Sequence, residues 1–169
     1  MGLIALQENA VSDKTTIFCD GAYIYGRNKK SMKCHCGGGY RNIYNGISQS
    51  CNSYFAEVYR KTINMDNDVS RNFDKWSVNV KSFGLGDYLG YDLPIGKTGF
   101  IPNSNYYDYW YNKGGWKSST IVSNAIGQGE ILATPIQMAN ITAAIANRGY
   151  YITPHFVKSN DLINNKVNE

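Results

Sequence analysis

The sequence predicts an α+β fold that is rich in helices, and three observations support this prediction. Apolar residues recur at helical spacing over two stretches, residues 43–58 and about 69–83. A third stretch opens with Thr134 and Pro135, which are typical helix-start residues, and ends at Gly149. The chain of 169 residues contains 17 glycines and 14 tyrosines, which indicates many turns and long ordered loops between these helices.

The first third of the sequence predicts the end of a helix, then an irregular, loop-dominated excursion of the chain, then a longer helical stretch. Leu3, Ile4 and Leu6 form an apolar stripe with no N-cap before it, and residues 9–41 are rich in turn formers that favour loops and short strands. The apolar positions that follow are spaced by four, four, four and three residues, which predicts one helix or two helices joined end to end. These positions are Ile43, Ile47, Cys51, Phe55 and Val58.

The remaining elements follow from periodicity and turn signals. A helix is predicted over about Val69 to Phe83, and residues 85–117 hold no period and predict a long ordered loop. Residues 121–126 predict a short strand, residues 127–129 a tight turn and residues 150–157 an extended segment.

The start of the last helix is predicted in detail. Thr134 is in place to be its N-cap, Pro135 fits the first helical position, and Gln137 completes a capping box. The helix is then expected to run through several alanines and to end at Gly149.

Composition and charge exclude several classes of protein. With 43% hydrophobic and 18% charged residues the chain is typical of a folded domain and not of a disordered one. The net charge is +4, but the longest basic run is the pair Lys29 and Lys30, so no nucleic-acid partner is expected. No apolar stretch approaches the length that would cross a bilayer.

Several motifs in fixed order carry a family signature. Residues 47–55, with Ser50-Cys51-Asn52 at their centre, resemble the Ser-x-Asn region of penicillin-binding transpeptidases. Residues 127–139 resemble the Gly-Gln-Gly turn of these enzymes and the helix after it, and Asp92-Leu93-Pro94 and residues 151–155 also match. The chain is thus similar to class B penicillin-binding proteins, and most of all to the elongation branch, penicillin-binding protein 2.

The resemblance implies that the parent protein is a serine-type D,D-transpeptidase that cross-links peptidoglycan stem peptides and is acylated by β-lactams. It implies that Ser50 relays a proton to the leaving amine, while Asn52 hydrogen-bonds the substrate amide and the active-site lysine. It further implies a parent anchored on the periplasmic side of the bacterial inner membrane by a segment absent here. An elongation-complex glycosyltransferase is its expected partner.

Two of the three catalytic motifs of this family are not found in their usual places. No Ser-x-x-Lys stands before an apolar helix start, so the nucleophile is missing. Lys97-Thr98-Gly99 spells the third motif, but it precedes the Gly-Gln-Gly turn that it follows in the family, so Lys97 is interpreted as a loop lysine. Residues 1–169 are therefore expected to be an internal, inactive fragment of a partial transpeptidase domain with the β-lactamase-like fold.

The four cysteines of the chain lie in its first third, at Cys19, Cys34, Cys36 and Cys51. If Ser50 and Asn52 face one side of their turn, Cys51 faces the other side, towards the loop that holds the other three. The residues are compatible with a structural tetrathiolate zinc site, with disulfides, or with buried free thiols. A zinc site in which His35 replaces one cysteine is also open.

A function from another class competes with the enzyme. Residues 106–111 are rich in tyrosine and contain a tryptophan, and aromatic faces suit sugars. The chain would then be a zinc-stabilised, non-enzymatic envelope module that binds glycan or protein through this segment. Ordinary packing of these rings is the simpler interpretation.

Overall fold

The structure is a computed structural model that describes residues 1–93 and 95–157, together with the backbone of residues 167–168. The chain forms two compact units. The first unit consists of residues 1–76 and 103–129, and the second of residues 77–102 and the described residues after 129. The α+β prediction is confirmed, and most of the residues in regular structure are helical.

The elements alternate between short strands and helices of up to 13 residues. The helices of the described part are α1 Gly2–Gln7, α2 Ile43–Ser48, α3 Asn52–Ile63, α4 Val69–Lys81, α5 Ser104–Tyr111 and α6 Pro135–Ala146, with one 3-10 helix, η1 Val122–Ile126. The strands are β1 Ile17–Cys19, β2 Ala22–Tyr25, β3 Lys30–Lys33, β4 Gly39–Arg41, β5 Tyr151–Ile152 and β6 Val167–Asn168. No helix in these ranges has the length and apolarity needed to span a membrane.

Helix α3 is the centre of the first unit. Its residues Ala56, Val58, Tyr59 and Ile63 are completely buried, and η1, α1 and strands β1 and β2 pack around it. The strands form antiparallel pairs, β1 with β4 and β2 with β3. The predicted excursion with short strands in residues 9–41 is therefore confirmed.

A cluster of aromatic rings forms a separate part of the core of the first unit. The Phe73 ring lies 5.4 Å from both the Trp76 and the Tyr107 rings and 5.6 Å from that of Trp116, measured between centroids. Tyr59 meets Trp76 edge to face at 5.4 Å. All of these side chains are buried, so this core forms from apolar packing.

The second unit is organised around the start of α6. Thr134 is the N-cap, Pro135 opens the helix, and the Gln137 and Thr134 side chains form the predicted capping box. Gln137 is only 1% exposed, and its Nε2 atom donates to two loop carbonyls, those of Asp87 and Thr98, each at 2.8 Å. Pro94 of the Asp-Leu-Pro loop lies outside the described residues.

Two predictions of secondary structure are wrong. The predicted strand over residues 121–126 is instead the 3-10 helix η1, Val122–Ile126, because the period of a short buried apolar run does not distinguish a strand from a helix. The segment 85–117 contains α5, where the Asn103 side chain caps the backbone N–H of Tyr106. Its low helix propensity hides this helix in the sequence.

Candidate active-site turn and cysteine cluster

The Ser50-Cys51-Asn52 turn joins α2 to α3. Helix α2 ends at Ser48, and Ser50 has a left-handed backbone with φ of 50°, which interrupts the helical path between α2 and α3. Cys51 is the N-cap of α3, and Asn52 is its first residue. Since only 3 residues separate the two helices, α2 and α3 are the two consecutive helices that the sequence left possible.

The three residues of this turn have different surroundings. Ser50 is exposed, Asn52 is partly buried, and Cys51 between them is completely buried. The Asn52 Nδ2 atom donates to the Lys33 carbonyl at 2.9 Å, which ties the turn to the end of β3. The prediction that Cys51 faces inward, towards the loop that holds the other cysteines, is confirmed.

The sulfurs of Cys19, Cys34, Cys36 and Cys51, here called the cysteine cluster, all lie within 4.8 Å of one another. The Cys34 sulfur is 3.2 Å from that of Cys36 and 3.7 Å from that of Cys51, and the sulfurs of Cys36 and Cys19 are 3.6 Å apart. Four sulfurs at about 2.3 Å from a tetrahedral zinc would be about 3.8 Å apart. The donor set and its spacing thus fit a zinc ion.

The same distances bear on the other interpretations of the cysteines. All four are free thiols, so no disulfide links them. His35 is exposed, and the cluster is complete without it. The cluster belongs to a small hydrophobic core, and the remaining buried members of this core are Ala5, Val11, Ile43, Tyr54 and Val58.

Backbone N–H groups favour a negative charge on one member of the cysteine cluster, Cys34. Burial opposes ionisation of Cys34, but hydrogen bonds that include the backbone N–H groups of Ser53 and Cys36 outweigh burial and lower the pKa of this thiol to about 6. Burial raises the pKa of the Cys51 thiol. Without a metal the thiols of the cluster therefore differ in how readily they lose a proton. A bound cation would displace the protons of the sulfurs that coordinate it.

Two further residues shape this region and were not singled out from the sequence. Arg41 is 8% exposed, and its Nη2 atom donates to the carbonyls of Cys36, Gly37 and Gly38 at 2.8, 3.3 and 3.1 Å. The Ser53 Oγ atom lies 3.3 Å from the Cys19 sulfur. The three glycines 37–39 form a loop whose carbonyl groups need hydrogen-bond donors from outside regular structure. An arginine that follows such a loop closely, as Arg41 does, is the sequence feature that could have indicated this contact.

The Lys97-Thr98-Gly99 motif belongs to the second unit. Lys97 and Thr98 are exposed in a segment without helix or strand, as expected of a loop lysine. Gly99 there has φ of 65°, and the neighbouring Phe100 forms a β-bridge with Leu132.

Comparison with known proteins defines the family. The family model of the penicillin binding protein transpeptidase domain matches residues 1–168, so the chain belongs to this family. It is 32% identical over 123 residues to the peptidoglycan D,D-transpeptidase MrdA of Acinetobacter baumannii, and the aligned region covers 73% of the chain and 17% of that protein. It is 29% identical over 161 residues to MrdA of Haemophilus influenzae, covering 94% of the chain and 23% of the relative.

Solved structures agree with the sequence comparison. Penicillin-binding protein 2 from Helicobacter pylori superposes with a TM-score of 0.80 at 26% identity, over 98% of the chain and 29% of that protein. The resemblance to the penicillin-binding protein 2 branch is confirmed, as is the partial transpeptidase fold. The chain spans less than a quarter of the length of the two curated relatives.

Proposed function

We propose that this chain is part of a peptidoglycan D,D-transpeptidase that cross-links stem peptides during cell-wall synthesis. The observation that carries the proposal is the Ser50-Cys51-Asn52 turn, in which two hydrogen-bonding side chains flank a completely buried Cys51 at the start of a helix. Membership of the transpeptidase family favours this function over a non-enzymatic module.

The reaction proceeds in two acyl-transfer steps. A serine of the parent protein attacks the carbonyl between two D-alanines, and the terminal D-alanine leaves as an amine. In this step the active-site lysine takes the proton of the attacking serine and passes one to Ser50, which gives its own proton to the leaving nitrogen, while Asn52 hydrogen-bonds the substrate amide. An amine of a neighbouring stem peptide then attacks the ester, forms the new amide and releases the serine.

Fluorescent penicillin tests this proposal. The 169-residue chain is expected to remain unlabelled, because it has neither the nucleophile nor its lysine, while the longer gene product is labelled. In the longer protein Ser50→Ala should slow acylation by about 10²-fold or more, the usual contribution of proton transfer. The matched control is Ser48→Ala, an exposed serine at the end of α2. A stoichiometric adduct on the 169-residue chain would contradict the proposal and indicate Ser50 as a nucleophile.

The cysteine cluster is proposed to bind one structural zinc ion. The support is geometric: four sulfurs within 4.8 Å of one another in the spacing of a tetrahedral site, three of them on buried residues. By fixing the backbone of Cys51 the metal would restrict Ser50 and Asn52 on either side, without taking part in the reaction. Elemental analysis of the purified chain is expected to give about one zinc per molecule. Four reactive thiols without metal, or two disulfides, would exclude the site.

The place and partners of the parent are part of the same proposal. One similar structure is a complex of penicillin-binding protein 2 with MreC from Helicobacter pylori, and another concerns a peptidoglycan synthase complex that coordinates polymerization and crosslinking. By extension, the parent would act on the periplasmic side of the inner membrane beside a glycosyltransferase. Fractionation of cells that express a tagged parent, followed by co-purification, tests both; a parent in the cytoplasmic fraction would contradict the proposed location.

A further inference from the structure

A groove in the first unit lies beside the β2–β3 hairpin. It contains two cavities of about 320 and 460 Å³. Both are lined by Tyr25, Gly26 and Ser119, so they are neighbouring parts of one groove, here called the hairpin groove. The groove does not include the Ser50-Cys51-Asn52 turn or the cysteine cluster.

Positive charge is unevenly distributed along the hairpin groove. In the smaller cavity Arg60 donates to Glu57 through Nε at 2.8 Å, and the Tyr23 hydroxyl donates to the same carboxylate at 2.9 Å. This arginine is therefore neutralised within the protein. The larger cavity is lined by Arg27 and Lys30, which are exposed, and neither makes an ion pair with any described residue.

Among the described residues, no acidic side chain lines the larger cavity, so its electrostatic potential favours an anion. Arg27 offers a planar guanidinium that can hold a carboxylate through two hydrogen bonds, and Lys30 offers a compact ammonium. Arg27 lies in the turn between β2 and β3, and Lys30 is the first residue of β3, where it pairs with Tyr25.

The other walls of the larger cavity supply rings and hydroxyl groups. Tyr25 stacks on Tyr23 with ring centroids 6.3 Å apart and an interplanar angle of 18°, and Tyr111 lines the cavity from the end of α5. The hydroxyl-bearing residues Ser119 and Ser123 also line it. Aromatic faces beside hydroxyl groups suit a ligand with both apolar and hydrogen-bonding surfaces, such as a sugar ring.

We propose that the hairpin groove binds a carboxylate-bearing segment of peptidoglycan, with the acidic groups of a stem peptide at Arg27 and Lys30 and a sugar ring against Tyr25 and Tyr111. This inference rests on the proposed function, since it assigns a second contact for the same polymer. By holding a peptidoglycan chain, the groove would raise the local concentration of the stem peptides of that chain at the active site of the parent protein.

Titration of the isotope-labelled chain by NMR tests the groove. The probe is a soluble disaccharide–pentapeptide with free carboxylates, and its neutral counterpart has every carboxylate amidated. The anionic compound is expected to shift the amide signals of residues 23–30 and 117–123. Amidation, or an increase in salt from about 50 to about 500 mM, should weaken binding by about tenfold, because exposed charges in water are screened.

Variants locate the contact. Arg27→Gln combined with Lys30→Gln should weaken binding of the anionic compound by about tenfold, whereas Lys14→Gln, an exposed lysine outside the groove, should leave it unchanged. Equal binding of the charged and amidated compounds, or unchanged binding to the double variant, would overturn the proposal. Tighter binding of an anionic lipid vesicle or an oligonucleotide would overturn it too. If the double variant does not fold, the amidated compound still tests the charge dependence of binding on the unaltered chain. Penicillin labelling of the parent protein tests the proposed function separately.

Discussion

The two helices that follow the family motifs begin in different ways. At α6 the Thr134 Oγ1 atom accepts from the Gln137 backbone N–H at 3.3 Å, and the Gln137 Oε1 atom accepts from the Thr134 N–H at 3.0 Å. At α3 the cap is the Cys51 sulfur, which accepts from the Tyr54 N–H at 3.4 Å and also belongs to the cysteine cluster. Both caps are thus local, but the cap of α3 is also held in place by cysteines from an earlier loop, whereas the cap of α6 is formed by Thr134 and Gln137 alone.

Cys51→Ala is expected to have the largest effect, because it removes a metal ligand, a helix cap and a buried group together. In the presence of excess zinc, the free energy of unfolding should fall by about 3–5 kcal/mol, of which a cap contributes about 1 and saturating ligand most of the rest. Chemical denaturation of the zinc-loaded chain and its variant measures this difference. Zinc analysis should show that the variant carries no metal.

The control for this variant is His35→Ala, which changes an exposed side chain between two of the cluster cysteines. It should keep one zinc and lose less than about 0.5 kcal/mol, as surface substitutions do. A chelator should bring the unaltered chain to within about 1 kcal/mol of Cys51→Ala. If Cys51→Ala retains its zinc, the metal is not held by all four sulfurs.

The same contrast explains what the sequence could predict. The capping box at Thr134 was predicted correctly because its information lies within four residues, and the inward direction of Cys51 followed from the alternation of a short turn. The hydrogen bond from Asn52 to the Lys33 carbonyl, over 19 residues, has no local signal. The four cysteines indicated a common site, but their spacing alone left zinc, disulfides and free thiols open.

The two wrong predictions have the same cause. Val122 and Ala125 of η1 are buried, and this helix packs on α3, so its conformation is decided by tertiary contacts. In α5 Tyr107 is buried whereas Tyr109 and Trp110 are 80% and 63% exposed. Aromatic residues on both faces of a helix give no apolar stripe for a sequence pattern to find.

Gln137→Glu separates the local cap of α6 from its longer contacts. The carboxylate can still accept from the Thr134 N–H, but it cannot donate to the Asp87 and Thr98 carbonyls, which each lie 2.8 Å from Nε2. At neutral pH a buried charge would face two carbonyl oxygens, so we expect a loss of about 3 kcal/mol in the free energy of unfolding. Denaturation measures it, with Gln128→Glu, an exposed glutamine, as the matched control. A loss below about 1 kcal/mol would show that the two loop contacts contribute little.

Thr134→Ala tests the smallest part of the comparison, the cap alone. The variant loses the hydrogen bond to the Gln137 backbone N–H but keeps the buried Gln137 side chain and its loop contacts, so the expected loss is about 1 kcal/mol. Thr142→Ala is the matched control in the same helix, because the Thr142 hydroxyl donates to the Met138 carbonyl, which the helix already satisfies. That variant should be neutral or slightly stabilising, since alanine has the higher helix propensity. Equal losses in the two variants would mean that threonine at the cap contributes no more than any threonine in the helix. A loss at Thr134 as large as the loss of about 3–5 kcal/mol expected for Cys51→Ala in excess zinc would remove the distinction between a helix start stabilised by adjacent residues and one stabilised by the cysteine cluster.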